Sequence, residues 1–482
     1  MDLLPHIWHY LVIIVTVALA ILASGHAILY KRDSRATLLW VGFIWFSPLV
    51  GAVLYFLLGV NRIRRRALLL RGDLERYSAE ANRQTDQQLA AHNEFQREFP
   101  ELSRFECLVK GIVQRPLLPG NRVDPLINGD EAFPAMLDAI RHARTSITLA
   151  TYIFDRGNIG LEFVDALGDA VRRGLQVRVL IDATGARYSF PTILRSLRRA
   201  GVPFARFLPT LVPFRVVSIN LRNHRKILVA DGHLGFTGGM NIRAGHRLAG
   251  DPSHPVRDIQ FRVQGPVVAQ LQEVFADDWR FCTGEALRGD TWFPPLEPAG
   301  DVFARGIADG PDEDFEKLRW TLLGALSCAS HSVRIVTPYF LPDPALISAL
   351  NVAAMRGVQV DILLPEKNNL PFVHWAMCAG LWQVLQRGCR VWLTPPPFDH
   401  SKLMVMDSQW ALIGSANWDP RSLRLNFELN VECYNRSLAS RLDRLIEDRL
   451  KSARPLSLRD LDERPLPIKL RDGIARLATP FL

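Results

Sequence analysis

The strongest constraint on this chain is that it repeats itself. "NHRKILVADGHLGFTGGMN", Asn223 to Asn241, and "DHSKLMVMDSQWALIGSAN", Asp399 to Asn417, align without a gap. With His224 set on His400, Lys226 meets Lys402, Asp231 meets Asp407, Gly238 meets Gly414, Gly239 meets Ser415 and Asn241 meets Asn417. The duplication extends upstream. "RRGLQVRVLIDA" (Arg172–Ala183) resembles "MRGVQVDILLPE" (Met355–Glu366), and "SITLATYIF" (Ser146–Phe154) resembles "SVRIVTPYF" (Ser332–Phe340). One chain that carries the same unit twice folds as two like halves, here expected about a pseudo-twofold axis.

Within each half a helical pattern ends at a glycine and a β-branched run follows. The order strand, helix, strand predicts βαβ units and a mixed, mostly parallel, buried sheet, an α/β class. The Pro- and Gly-containing stretch from Thr283 to Gly310 separates the halves, expected at 116–285 and 310–450. Residues 62–115 read as a basic or helical linker and 451–482 as a C-terminal tail.

"KILVADGHLGFTGG" reads as strand, turn, strand, with Asp231-Gly232 at the turn. Side chains two apart on a strand share a face. His224 and Lys226 therefore point into one pocket, as do His400 and Lys402. Asp231 falls on the other parity and is expected to brace the loop. Asn241 and Asn417 supply amide donors, and Gly239 and Ser415 let backbone approach an anion. Brought together, the halves give two imidazoles, two ammonium groups and two amides, a donor nest for a phosphate oxyanion. One neutral imidazole can attack phosphorus while the other, protonated, serves the leaving oxygen.

Two HxKxxxxD motifs, each trailed by G[GS]xN, resemble the phospholipase D superfamily over roughly Pro116 to Leu450. "NLRNHRKILVADG", "FTGGMNI" and "GSANWDPRSLRLNFELN" behind an apolar N-terminus resemble, more narrowly, its bacterial cardiolipin synthases. The resemblance implies two phospholipase D-like halves and a metal-free transfer with no cofactor. A phosphatidyl group passes from one phosphatidylglycerol to another through a phosphohistidine, giving cardiolipin and glycerol. It implies His224 as nucleophile and His400 as general acid and base. It also implies a carboxylate beyond each motif that orients that motif's histidine, matched here by Asp258 in "VRDIQF" and Glu428 in "NFELN". "MNIRAGHRLAG" departs from the acidic, Tyr-containing segment of many relatives; Arg243 and His246 read as solvated loop residues, with acceptor choice as the alternative. Tyr152 and Tyr339 read as core or pocket wall. Hydrolysis by the same site, or transfer to another alcohol, is the competing activity. A nuclease and an inert binding protein are the more distant ones.

The N-terminus is apolar and free of Asp, Glu, Lys and Arg from Ile7 to Tyr30 and again from Leu38 to Val60. Each run has the length to cross about 30 Å of hydrocarbon, so residues 1–61 are expected to form a transmembrane helical hairpin. "MDLLPH" lacks the positive charge of a secretory signal. Arg62, Arg64, Arg65 and Arg66 place the bulk of the chain in the cytoplasm, at a bacterial inner membrane. A net charge of +9 suits anionic membrane lipids. Without an aromatic and basic stripe, no nucleic-acid partner is expected. The oligomeric state stays open, with a homodimer one form. Six cysteines without a CxxC pair favour a reducing compartment. The tail "LPIKLRDGIARLATPFL" has apolar residues with basic groups between them, either a helix at a membrane surface or one packed on the globular domain.

Overall fold

A computed structural model describes residues 3–31, 34–56, 85–208, 221–312 and 314–479, in two compact units, Met1–Leu69 and Leu70–Leu482. The end of the second apolar run, the cluster Arg62, Arg64, Arg65 and Arg66, the stretch 57–84 and Phe481 lie outside the described residues.

In the first unit Leu3–Tyr30 is one continuous helix, and its segment His9–Tyr30 has a mean hydropathy of 2.5. Its outward side chains, Leu11, Ile13, Ile14, Leu22 and Leu29 among them, are exposed, as suits a lipid surrounding. The second run is not one helix. Ser34–Phe46 stops at Ser47, because Pro48 has no N–H to donate and restricts its predecessor, and Pro48–Leu54 starts anew. A Cβ on Gly51 would lie 2.7 Å from Ile44 Cα, so the short helix doubles back onto the one before it. Ala20, Ala23 and Ala27 on the long helix cluster with Ile44, Ala52 and Tyr55. Among the described residues one helix is long and apolar enough to span a membrane, and the expected hairpin partner is a broken, folded segment.

The second unit is built on a single 15-stranded sheet. From one edge it runs Arg454–Leu456, Arg390–Thr394, Gln359–Pro365, Ser332–Val336, Leu403–Met406, Trp410–Gly414, Glu428–Tyr434 and Val302–Asp309. It continues through Leu118–Ile127, Ile259–Gln264, Leu234–Gly238, Ile227–Ala230, Ser146–Thr151, Gln176–Asp182 and Phe204–Phe207. Read outward from the middle, the two sides repeat strand for strand except at one edge, where Arg454–Leu456 has no first-half counterpart. The expectation of mostly parallel strands is corrected here. In the long sheet parallel pairing is confined to the βαβ crossovers, Ser146–Thr151 with Gln176–Asp182 with Phe204–Phe207 and their second-half equivalents. Every other pairing in the long sheet is antiparallel, the motif strands Ile227–Ala230 with Leu234–Gly238 and Leu403–Met406 with Trp410–Gly414 returning through tight turns.

The halves join where Leu118–Ile127 pairs with Val302–Asp309, two strands that the Pro- and Gly-bearing sequence did not announce. Asn121, wholly buried beside the bulge at Gly120, pins this seam. Its amide donates to the carbonyls of Leu118 (2.7 Å) and Val302 (3.1 Å), and its carbonyl accepts the Val267 N–H at 2.7 Å, at the start of the helix Val267–Thr283. Asn121→Leu is expected to cost about 2–4 kcal/mol, since it removes these bonds and orphans a buried N–H. Chemical denaturation measures it; a loss under about 0.5 kcal/mol, the range of an indifferent surface change, would remove the pin. Each half has its own apolar core. Phe95, Phe99, Phe105 and Val109, in the segment that reads as linker, lie in the second-half core.

Candidate active site

His224 and Lys226 lie on the extended chain that enters Ile227–Ala230; His400 and Lys402 enter Leu403–Met406 in the same way. All four side chains are buried. Each lysine ammonium donates to the carbonyl of the histidine two residues before it, at 2.6 Å for Lys226. The motifs meet across the seam: a Cβ on Gly239 of the first half would lie 3.0 Å from Lys402 Cδ of the second.

The histidine partners are exchanged between the halves. His224 Nδ1 is 3.0 Å from Glu428 Oε2, and His400 Nδ1 is 2.9 Å from Asp258 Oδ2. Each carboxylate therefore orients the other half's histidine, where the resemblance implied its own. The backbone enforces the exchange. The His224 N–H donates to Phe427 O (2.9 Å), and the Phe427 N–H to Arg222 O (2.8 Å). Opposite, Val256–Arg257 pairs in parallel with Phe398–Asp399, and the His400 N–H donates to Arg257 O at 2.7 Å. Each histidine thus rides beside the strand entry that carries its carboxylate. Because Nδ1–H donates to the carboxylate, each Nε2 keeps its lone pair for the pocket.

The two carboxylates are supported differently. Glu428 accepts from Ser415 Oγ at 2.5 Å and from Asn426 Nδ2 at 3.1 Å. Asp258 is shorter and accepts the Ile259 N–H at 2.8 Å. Facing it is Gly239, where a Cβ would stand 2.8 Å from Asp258 Oδ1. Gly239 and Ser415, equivalent in sequence, thus serve the carboxylates, one by leaving room and one by donating. Asn241 Oδ1 accepts the Ile153 N–H at 3.1 Å, which leaves its NH2 for a ligand. Asn417 Nδ2 reaches Ser422 Oγ at 3.3 Å, and its buried Oδ1 has no partner among the described residues.

Asp231 and Asp407 stand at the far ends of their strands. Asp231 accepts the N–H groups of Arg144 (2.8 Å), Thr145 (2.7 Å) and Ser146 (3.1 Å). Asp407 accepts those of Ser330, His331 and Ser332 at 2.7 to 2.8 Å. Each ties the turn to the start of the neighbouring strand. Burial raises the Asp231 pKa, but these bonds outweigh it and hold the carboxyl below its usual range.

The pocket is crowded with positive charge. Burial, with the neighbouring Lys402 adding to it, drives Lys226 down to about 7; burial takes Lys402 down to about 8. Burial also lowers His224, which Glu428 only partly restores. His400 lies well below the ordinary histidine value, through burial and then Lys402, Lys226, His224 and Arg243. Burial alone would raise Glu428; His224, Lys226 and Ser415 more than reverse this, so it stays ionised. An anion placed between the imidazoles relieves this surplus. Tyr152 forms a wall, its ring 5.1 Å from His224 and 5.7 Å from Lys226 Nζ.

One residue read as solvated loop is not. His246 is buried, its ring 6.3 Å from that of His400, and burial pushes its pKa to about 3. The flanking Arg, Gly and Arg masked it in the sequence; the close packing of Ala244–His246 under Phe133 buries it. His224, His246 and His400 are thus depressed in the folded chain, as burial also depresses His374, and the unfolded chain binds protons that the folded one refuses below pH 6.5. Their contribution to stability is complete above about 6.5 and is lost as pH falls toward 3. The unfolding midpoint is therefore expected to drop between pH 6.5 and 5, with a shallower drop in His246→Gln. A wild-type midpoint flat across that window would contradict the neutral buried imidazoles.

A family model described as "Cardiolipin synthase, PLD-like domain" matches residues 136–279 and 322–450, and one described as "Phospholipase_D-nuclease N-terminal" matches 18–59. The chain is 31% identical over 459 residues to cardiolipin synthase 2 of Staphylococcus epidermidis, covering 94% of this chain and 93% of that one. It is 31% identical over 462 residues to the major cardiolipin synthase ClsA of Bacillus subtilis, covering 94% and 95%. In fold it is similar to the crystal structure of phosphatidylserine synthase from Haemophilus influenzae, with a TM-score of 0.62 at 15% identity over 79% of this chain and all of that one.

Proposed function

The chain belongs to the cardiolipin synthase family of phospholipase D-like enzymes, and from that premise we propose how its two histidines move a phosphatidyl group. The activity is cardiolipin synthesis. The donor and the acceptor are both phosphatidylglycerol. The observation that carries the mechanism is the crossed pair of histidine–carboxylate bonds, which aims two Nε2 lone pairs from opposite halves at one pocket.

His224 Nε2 attacks the phosphorus of the first phosphatidylglycerol. The bond from phosphorus to the glycerol oxygen breaks, and His400, protonated, gives its proton to that oxygen. Glycerol leaves, and the phosphatidyl group stays on His224. The glycerol hydroxyl of a second phosphatidylglycerol then enters; His400, now neutral, takes its proton, the new P–O bond forms and the P–N bond breaks. Two phosphatidylglycerols become cardiolipin and glycerol, and both histidines return to their starting states. Glu428, clamped by Ser415 and Asn426, offsets the positive charge that His224 gains as it bonds phosphorus. Burial, and then the cations around it, hold His400 neutral, and the negative phosphodiester lets it take up the proton it must donate. Lys226, Lys402, Asn241 and Asn417 bind the non-bridging oxygens.

We further propose a multi-pass anchor in a bacterial cytoplasmic membrane with the catalytic unit on the cytoplasmic side. The arginines after residue 61 and the apolar surface of Leu3–Tyr30 support it. Halves bounded at 116–285 and 310–450 follow from the repeat, and a homodimer fits the same chemistry.

Purified enzyme in phosphatidylglycerol micelles, with products resolved, tests the reaction. Cardiolipin and glycerol in equal amounts are expected; phosphatidic acid and glycerol without cardiolipin would make the site a hydrolase.

A further inference from the structure

The C-terminal helix Leu466–Leu477 is fastened by its polar side and turns its apolar side outward. Ala475 and Asp472 are buried, packed toward the helix Pro371–Cys378. Asp472 is held by Arg464 and Arg471, each at 2.7 Å. The opposite face carries Leu466, Leu470, Ile474 and Leu477, exposed at 67%, 58%, 65% and 80%. At about 100° per residue these four fall within roughly 80° of the helix circumference. A soluble helix of this moment buries such a stripe; among the described residues nothing covers it.

The charges say what does. Lys469 and Arg476 flank the stripe on one side and Arg471, which also pairs with Asp472 and stacks on Trp375, on the other, all three exposed. The helix's only acid is buried and paired. Beside it opens a cleft of about 530 Å³ lined by Trp382, Leu477, Arg464, Lys469 and Arg476, with Asp462 and Asp472. An apolar ridge between two basic borders matches the layering of an anionic leaflet, acyl chains below and phosphates level with the borders.

We propose that this face of Leu466–Leu477 lies in the headgroup region of an anionic bilayer, giving the catalytic unit its own contact with the membrane. Leu466, Leu470, Ile474 and Leu477 enter the acyl boundary, while Lys469 and Arg476 reach lipid phosphates. The contact is independent of the histidine chemistry.

The test uses the full chain carrying Cys107→Ser and Ile474→Cys, labelled with nitrobenzoxadiazole. The Cys107→Ser chain treated alike gives the background from the remaining cysteines. In vesicles of phosphatidylglycerol and phosphatidylcholine the label is expected to shift to the blue and to resist an aqueous quencher at least threefold better than in pure phosphatidylcholine, an advantage lost in high salt. An equally accessible label in both vesicles overturns the proposal. So does shielding that follows protein concentration, which means a second copy, or shielding indifferent to lipid and salt, which means the chain's own N-terminal unit. No turnover is needed, so the result stands apart from the proposed reaction. Leu470→Asp with Ile474→Asp, distant from the pocket, is expected to raise the surface concentration of phosphatidylglycerol for half-maximal rate at least threefold with kcat unchanged.

Discussion

His224→Ala and His400→Ala are each expected to abolish cardiolipin formation, by at least about 10⁴-fold for the proposed nucleophile and about 10²–10⁴-fold for the proposed proton donor. Circular dichroism and thermal unfolding check that each chain still folds, since each substitution leaves a buried carboxylate, Glu428 or Asp258, without its imidazole partner. The two losses separate with a donor whose leaving group needs no proton, such as phosphatidyl-p-nitrophenol. His400→Ala then releases one equivalent of p-nitrophenol in a burst and accumulates phosphatidyl-enzyme, since the first step no longer needs the acid. His224→Ala releases none. A burst in His224→Ala and none in His400→Ala would exchange the roles, and full activity in either would remove that histidine from the reaction.

Glu428→Gln and Asp258→Asn test the crossed pairing, with losses of about 10²–10⁴-fold, the scale set by removing an orienting carboxylate from a catalytic histidine. Their dependence on the leaving group is the informative part. Glu428 bonds to His224, so Glu428→Gln weakens the nucleophile and stays slow with phosphatidyl-p-nitrophenol. Asp258 bonds to His400, so Asp258→Asn weakens the acid and recovers most of its first-step rate with that donor. If each carboxylate served the histidine of its own half, the pattern would be the reverse. Thermal unfolding of both variants distinguishes this from simple loss of fold, which would spare neither substrate.

The pairing has a consequence for how the enzyme exists at all. Neither half contains a complete histidine–carboxylate pair, so under the proposed mechanism neither half alone would attack phosphorus with an oriented imidazole. The seam through Asn121, the Phe427 and Arg257 carbonyls that receive the histidine N–H groups, and the shared sheet are conditions for chemistry as much as for stability. His246 belongs to the same dependence. It stands beside His400 because the first-half loop after Asn241 folds against the second-half motif.

Much of this was legible in the residues. The gapless repeat announced two halves, and the glycine-ended helices with their following strands are where the pattern puts them, at Gly174 before Gln176–Asp182 and Gly357 before Gln359–Pro365. The central strands were hidden, because "LPGNRVDPLI" carries Pro and Gly that speak against a strand, and only the bulge and the Asn121 side chain make them tolerable at the seam. Pro48 was visible inside the second apolar run, but the length criterion outweighed it, because hydropathy does not register the N–H that Pro48 lacks.

The sequence by itself determined what short spacing controls. A side chain two residues from another on extended chain shares its direction, so His224 with Lys226 and His400 with Lys402 had to converge wherever the strands went, and phosphate chemistry follows from those four groups. Only the tertiary structure decided which carboxylate serves which imidazole, because those partners lie 204 and 142 residues apart and meet through the packing of one half on the other. Spacing along the chain governs the first kind of contact; the second is settled by which strand entries hydrogen-bond across the seam, a choice no local pattern encodes.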